Sequence, residues 1–158
     1  MAVQIVPSTN TPQQATGLFI ADFIMNEKTM DEMSDADFST LTRLIMKILD
    51  EWGLSAAAQV KVLNLPEKTP TRALRKYRDG APFPKIPEVY ERLEHIVGIF
   101  EALRTSYPHS KQMAMIWMNK CNKHFPARPP IAVISEDGLQ GLVQVRAHLD
   151  CTFDWFSS

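Results

Sequence analysis

The chain has 158 residues, 45% hydrophobic and 22% charged, a globular balance that excludes a fibrous or wholly disordered protein. That length buries a core without disulfide staples, and two cysteines, Cys121 and Cys151, make no disulfide framework. A net charge of −1 excludes a uniform field toward nucleic acid or membrane. No apolar run is long enough to span a bilayer and no secretory leader is visible, so a soluble, cytoplasmic protein with no membrane partner is expected.

Residues 1–34 read as an N-terminal arm, partly disordered. Met1–Thr16 is rich in Pro, Ser, Thr, Asn and Gln. Leu18, Phe19, Phe23, Ile24 and Met25 are too apolar to stay in water and are expected to cover a core or a dimer seam. From Asp35, the residues Phe38, Leu41, Ile45, Ile48 and Trp52 recur at helical spacing, with Leu44 and Leu49 beside them, and Gly53 ends that helix. Ser55 then caps a short helix over Ala56–Leu63, which Asn64 closes in a left-handed turn. Thr69-Pro70 is expected to cap and open a helix over Thr71–Arg78, closed by Gly80.

Pro82-Phe-Pro-Lys-Ile-Pro87 is a proline-rich joint and the natural domain boundary. Beyond it Val89, Leu93, Ile96, Val97, Phe100 and Leu103 form the strongest helical stripe, stopped at Pro108. A further helix carries Met113, Ile116 and Trp117 on one side. Phe125–Pro130 reads as a turn and Ile131–Ile134 as a brief helix, although a run of that length is ambiguous between helix and strand. A final helix starts after Asp137. The expected class is all-α.

Charge is unevenly spread. Lys61, Lys68, Arg72, Arg75, Lys76, Arg78 and Lys85 stand against Glu67 and Asp79, so this block carries +5 and the remainder −6. On a helix over 71–78, Arg72, Arg75 and Lys76 share one side, while Pro70, Leu74 and Tyr77 share the other with Ala73 at the edge. An apolar back and a basic front suit a helix that enters a major groove, with Arg reading guanine edges and Lys neutralising phosphates. Lys68, Thr71, Arg72, Arg75 and Lys76 are the candidate DNA contacts. A solvated basic face on an ordinary three-helix bundle fits the same pattern.

In the last helix Leu139, Leu142, Val145 and Leu149 share an apolar arc, and Arg146 falls inside it. A guanidinium among leucines must be paired, by a carboxylate of this chain or by a partner, because a lone buried charge costs several kcal/mol. After Asp150 come Phe153, Trp155 and Phe156, unusual at a terminus. They either fold back on their own domain or serve as anchors for a partner's cleft.

The order Trp117, Phe125-Pro-Ala-Arg-Pro-Pro130, Gly138-Leu139…Val145-Arg146-Ala-His-Leu149-Asp150 resembles the toxin-binding domain of the Xre/MbcA/ParS antitoxins. Trp52-Gly-Leu-Ser55…Val62-Leu63-Asn-Leu65…Arg78-Asp-Gly80 is similar to their Xre-like helix-turn-helix. Together the match spans about Asp35–Asp150. Three departures stand out. Asn64 replaces the usual Gly, Pro66–Pro70 lengthens the turn before the basic helix, and Pro126 replaces the Gly after the Phe.

The resemblance implies an Xre-like helix-turn-helix domain at 35–81 and a helical toxin-binding domain with a C-terminal tail at 86–158. It implies an antitoxin of a type II toxin–antitoxin system whose partner is a RES-type, NAD-consuming toxin. Its promoter DNA would be bound by a homodimer to repress the operon. By analogy with related antitoxins, Asp150–Phe156 would plug the toxin's NAD pocket, making Arg146, Asp150, Phe153, Trp155 and Phe156 the expected toxin contacts. Trp117, Phe125 and Pro130 would shape the domain. A stand-alone helix-turn-helix regulator with a C-terminal oligomerisation domain, or an adaptor that binds protein but no DNA, remains open.

Catalytic and cofactor signatures are missing from the sequence. Cys121-x-x-His124 supplies two ligands where zinc needs four, or three and a water. His95, His109 and His148 fall on unrelated segments, and no phosphate-binding Gly-rich loop, nucleophile elbow or HExxH motif occurs. The expectation is a binding protein with no cofactor.

Overall fold

The computed structural model describes residues 30–66 and 68–157, with side chains as far as Cys151. It divides into two compact units, Met1–Met33 and Ser34–Ser158. In the first, the described part is a 3-10 turn at Met30–Glu32. The apolar segment at Leu18–Met25 lies outside the described residues.

The second unit is all-α, with no strand among the described residues. Helix α1, Asp35–Glu51, starts where Ser34 Oγ accepts the amide of Asp37 at 3.2 Å, and Asp35 and Asp37 complement the positive helix start. Phe38, Leu41, Ile45, Ile48 and Leu49 are buried, as the spacing predicts. Gly53 at φ 77° turns the chain out of the helix. Helix α2, Ala56–Leu63, repeats the device, Ser55 Oγ accepting from the Ala58 amide at 3.2 Å. Asn64 closes it at φ 53°, ψ 39°, the left-handed conformation expected of it.

The third helix departs from expectation at its start. Pro70, not Thr69, holds the N-cap position, with no side-chain cap, and Thr71–Ala73 is a 3-10 turn before helix α3, Leu74–Arg78. Thr69 precedes a proline and is therefore biased to an extended backbone. The first turn is closed by the Ala73 amide on the Pro70 carbonyl at 2.8 Å. Pro70 is exposed, so the packed side of α3 is Leu74 and Tyr77 alone.

The proline-rich joint is pinned to α1. Phe83 is buried against Tyr77, ring centroids 4.9 Å apart, and its amide donates to the buried Thr42 hydroxyl at 3.2 Å. Helix α4, Pro87–Ser106, opens on a proline at its first position, where a missing N–H costs nothing. Helix α5, Lys111–Asn119, turns Ala114 and Met118 inward and leaves Met113 and Ile116 exposed. Its sequence is apolar on nearly every side, so spacing alone does not select the inner face. Helix α6 runs Pro130–Asp137, longer than the four residues read from sequence, and excludes the strand alternative there.

Helix α7, Leu139–Ser157, buries Leu142, Val145 and Leu149 and packs on α4 and α6. At Gly141 its backbone closes on α6: a methyl there would stand 2.2 Å from the Val133 carbonyl oxygen. The first three helices do not stand apart from the last four. α1 and α2 pack on α4, α2 touches α6, and Lys61 Nζ donates to the Glu136 carbonyl.

Candidate functional site

Two surfaces carry the candidate residues. The first is the face of the turn and helix at 71–78. Of the seven basic residues between Lys61 and Lys85, three donate to oxygens elsewhere in the chain. Arg78 grips Asp50 through Nε and Nη2 at 2.8 and 2.7 Å, Lys85 meets Asp35 at 2.8 Å, and Lys61 reaches Glu136. Lys68, Arg72, Arg75 and Lys76 remain, all exposed together with Thr71. Lys76 Nζ also sits 4.9 Å above the Tyr77 ring. The structure thus separates cations bound to an oxygen of this chain from those with none among the described residues, a distinction invisible in composition.

Arg78 belongs to a cluster that holds α1, α2 and α3 in register. Gln59 is buried and donates to Asp50 Oδ1 at 2.8 Å and to the Leu54 carbonyl at 3.1 Å, while its own Oε1 accepts from Arg78 at 3.1 Å. The Arg78 hydrogen bond holds the Asp50 carboxyl below its ordinary range, against the opposing effect of burial. Sequence reading missed Gln59. A Gln in an Ala- and Val-rich helix is the one signal that could have marked it.

The second surface is the outer side of α7. Arg146 does not sit among the leucines. Its side chain, 35% exposed, crosses onto α4, where Nη1 lies 3.4 Å from the Glu94 carbonyl and 3.3 Å from His95 Nδ1. Arg is a donor only, so His95 Nδ1 accepts and the ring proton resides on Nε2. Asp150 Oδ2 is 3.8 Å from Arg146 Nε, one turn along the helix, and is exposed. Burial first, then the Arg146 charge, hold His95 below its ordinary value of 6.5, while Glu91, Glu94 and Asp150 pull upward. Phe153, Trp155 and Phe156 lie on the helical backbone of α7, and their side chains are outside the described residues.

Beside this surface the loop after α5 folds onto α7. Asn122 Oδ1 accepts the amides of His124 and Phe125 at 2.9 and 3.0 Å. The rings of His124, Trp117 and Phe125 gather around His148, at 3.9, 6.0 and 5.7 Å between centroids. Burial, and then the neighbouring His124, keep His148 below 6.5. Arg128 fastens the loop to the end of α6 through Glu136 at 2.7 Å and Asp137 at 2.8 Å. Trp117, His124 and Phe125 therefore share His148 as a common ring partner. Cys121 is exposed, and no group of three His, Cys, Asp or Glu side chains among the described residues could hold a metal ion. No helix among the described residues is long and apolar enough to cross a membrane.

No protein-family model matches the chain. It is similar to the uncharacterized protein y4oB of Sinorhizobium fredii, 29% identical over 104 residues that make up 66% of this chain and 77% of that protein.

Proposed function

We propose that the chain is an antitoxin of a type II toxin–antitoxin system. Its cognate partner is a RES-type, NAD-consuming toxin, neutralised by occlusion with the C-terminal helix and its aromatic end. The protein binds by contact and supplies no catalytic group. A homodimer also represses the operon's promoter through the basic face of α3.

The observation that carries the reading is the division of labour along α7. Leu142, Val145 and Leu149 of the motif are consumed by packing, whereas Asp150 is exposed and Arg146 is held at the surface. Packing therefore accounts for the leucines of the motif and leaves its charged pair available to a partner. The exposed set Lys68, Thr71, Arg72, Arg75 and Lys76 supports the DNA-binding half, and equally the alternative of a stand-alone regulator.

The test is whether a RES-type protein is encoded beside this chain and, with that protein, co-expression. The full chain should co-purify with that protein and restore growth, and a chain ended after Leu149 should not. Rescue by the shortened chain would remove the plug from the mechanism. No complex at all would leave the regulator reading.

A further inference from the structure

An open groove between α1 and the end of α3 is lined by Arg43, Met46, Lys47, Asp50, Glu51 and Arg78. Both of its carboxylates are already paired. Asp50 is held by Arg78 at 2.7 Å, and Glu51 by Lys111 Nζ at 2.7 Å. Arg43 and Lys47 are exposed, stand one turn apart on α1, and have no carboxylate partner among the described residues. The groove consequently presents two uncompensated positive charges.

Arg43 is also positioned. Its guanidinium lies over Gly80, where a methyl would come within 2.5 Å of Nη2, and Gly80 has φ 108°. The chain leaving α3 thus makes room for this side chain. Arg75 precedes Arg78 by one turn on the same ridge of α3, and Arg78 lines the groove. The basic front of α3 accordingly adjoins Arg43 and Lys47 across the paired Arg78 and Asp50.

We propose that Arg43 and Lys47 bind backbone phosphates of the DNA duplex that takes α3, extending the contact from the major groove to the flanking strand. This rests on the DNA-binding reading above. The chemistry is that of a positioning contact: cations on phosphate oxygens fix register without reading bases. The groove is open and Arg43 and Lys47 are exposed along it, which suits a strand passing across it.

The experiment compares the full chain with an Arg43→Gln/Lys47→Gln variant, titrated with labelled duplex from its own upstream region and with a random duplex. Each titration is run at two salt concentrations about fourfold apart. Two lost phosphate contacts should make the slope of log K against log salt shallower by about 1.8, so the unaltered protein should lose about tenfold more affinity than the variant across that range. The loss should be alike on both duplexes. An Arg43→Lys/Lys47→Arg variant should recover the slope, and all three proteins should melt alike because both side chains are exposed. A variant that binds with unchanged affinity and slope would overturn the proposal while leaving the α3 reading intact. Absence of binding by the unaltered protein at the lower salt would overturn both.

Discussion

The Arg146 guanidinium lies across Gly98 of the neighbouring helix: a methyl group at position 98 would sit 2.6 Å from Arg146 Nε and 2.7 Å from Cζ. Gly98 thus serves as a saddle for this side chain. Replacing it with Ala removes a helix-interior glycine, a gain of about 1 kcal/mol, but displaces Arg146 from Glu94 and His95. The two effects nearly cancel, so Gly98→Ala should melt close to the unaltered protein. If the held position of Arg146 serves the proposed toxin partner, the same variant should bind, at least several-fold more weakly, a RES-type toxin that the unaltered protein binds. A titration of the complex decides this, and unchanged affinity would show that the saddle does not position a binding group.

Gly141 gives the opposite result. Its obstacle is the backbone of α6, 2.2 Å from the added methyl, which cannot swing aside. Gly141→Ala should destabilise by about 3 kcal/mol, the upper range for overpacking, as read by denaturant unfolding. A loss under about 1 kcal/mol would mean that α6 and α7 slide freely, contrary to their close packing.

The Asp50–Gln59–Arg78 cluster ranks its members by burial. Arg78 and Asp50 are 38% and 42% exposed, so losing their ion pair through Arg78→Ala should cost only about 1 kcal/mol despite its two-pronged geometry. Gln59 is 1% exposed, and Gln59→Ala leaves Asp50 and the Leu54 carbonyl short of a donor, costing about 2 kcal/mol. Denaturant unfolding of the two variants checks the order, and a reversed order would contradict the burial argument.

Acid should weaken the native state in two stages. His95 and His148 are both held below 6.5 in the fold. As pH falls through 6.5 the unfolded chain takes up these protons first, so stability drops, and the loss is complete below the depressed native values. Asp50 and Asp137 are held below 3.8 by Arg78 and Arg128, and their contribution is lost only as pH falls further. Melting temperature should therefore decline as pH falls through 6.5, and that of His148→Gln should decline less. An identical slope in the variant would assign the effect elsewhere.

Local chemistry alone determined most of the secondary structure. Ser55 caps α2, Gly53 and Asn64 end their helices, and Pro87 opens α4, because capping hydroxyls, left-handed turns and missing amides act within a few residues. The stripes of α1, α4 and α7 were equally legible, since each has one apolar side. Where a helix is apolar on most sides, as in α5, the inward choice of Ala114 and Met118 was settled by the neighbours it meets. The start of α3 was missed because two signals, Thr69 and Pro70, competed for one position.

Charge shows the same divide more sharply. The sequence by itself determined that a basic block lies between Lys61 and Lys85; it set Arg146 inside the leucine arc of the last helix, and the fold instead carries that side chain onto α4. Which of those cations face solvent depended on carboxylates and carbonyls brought from elsewhere: Asp50 to Arg78, Asp35 to Lys85, Glu136 to Lys61, Glu94 and His95 to Arg146. These partners are far away along the chain, so only tertiary packing could choose them. A charge in water and a charge in an ion pair have the same letter in the sequence, and their difference is made by distance and desolvation.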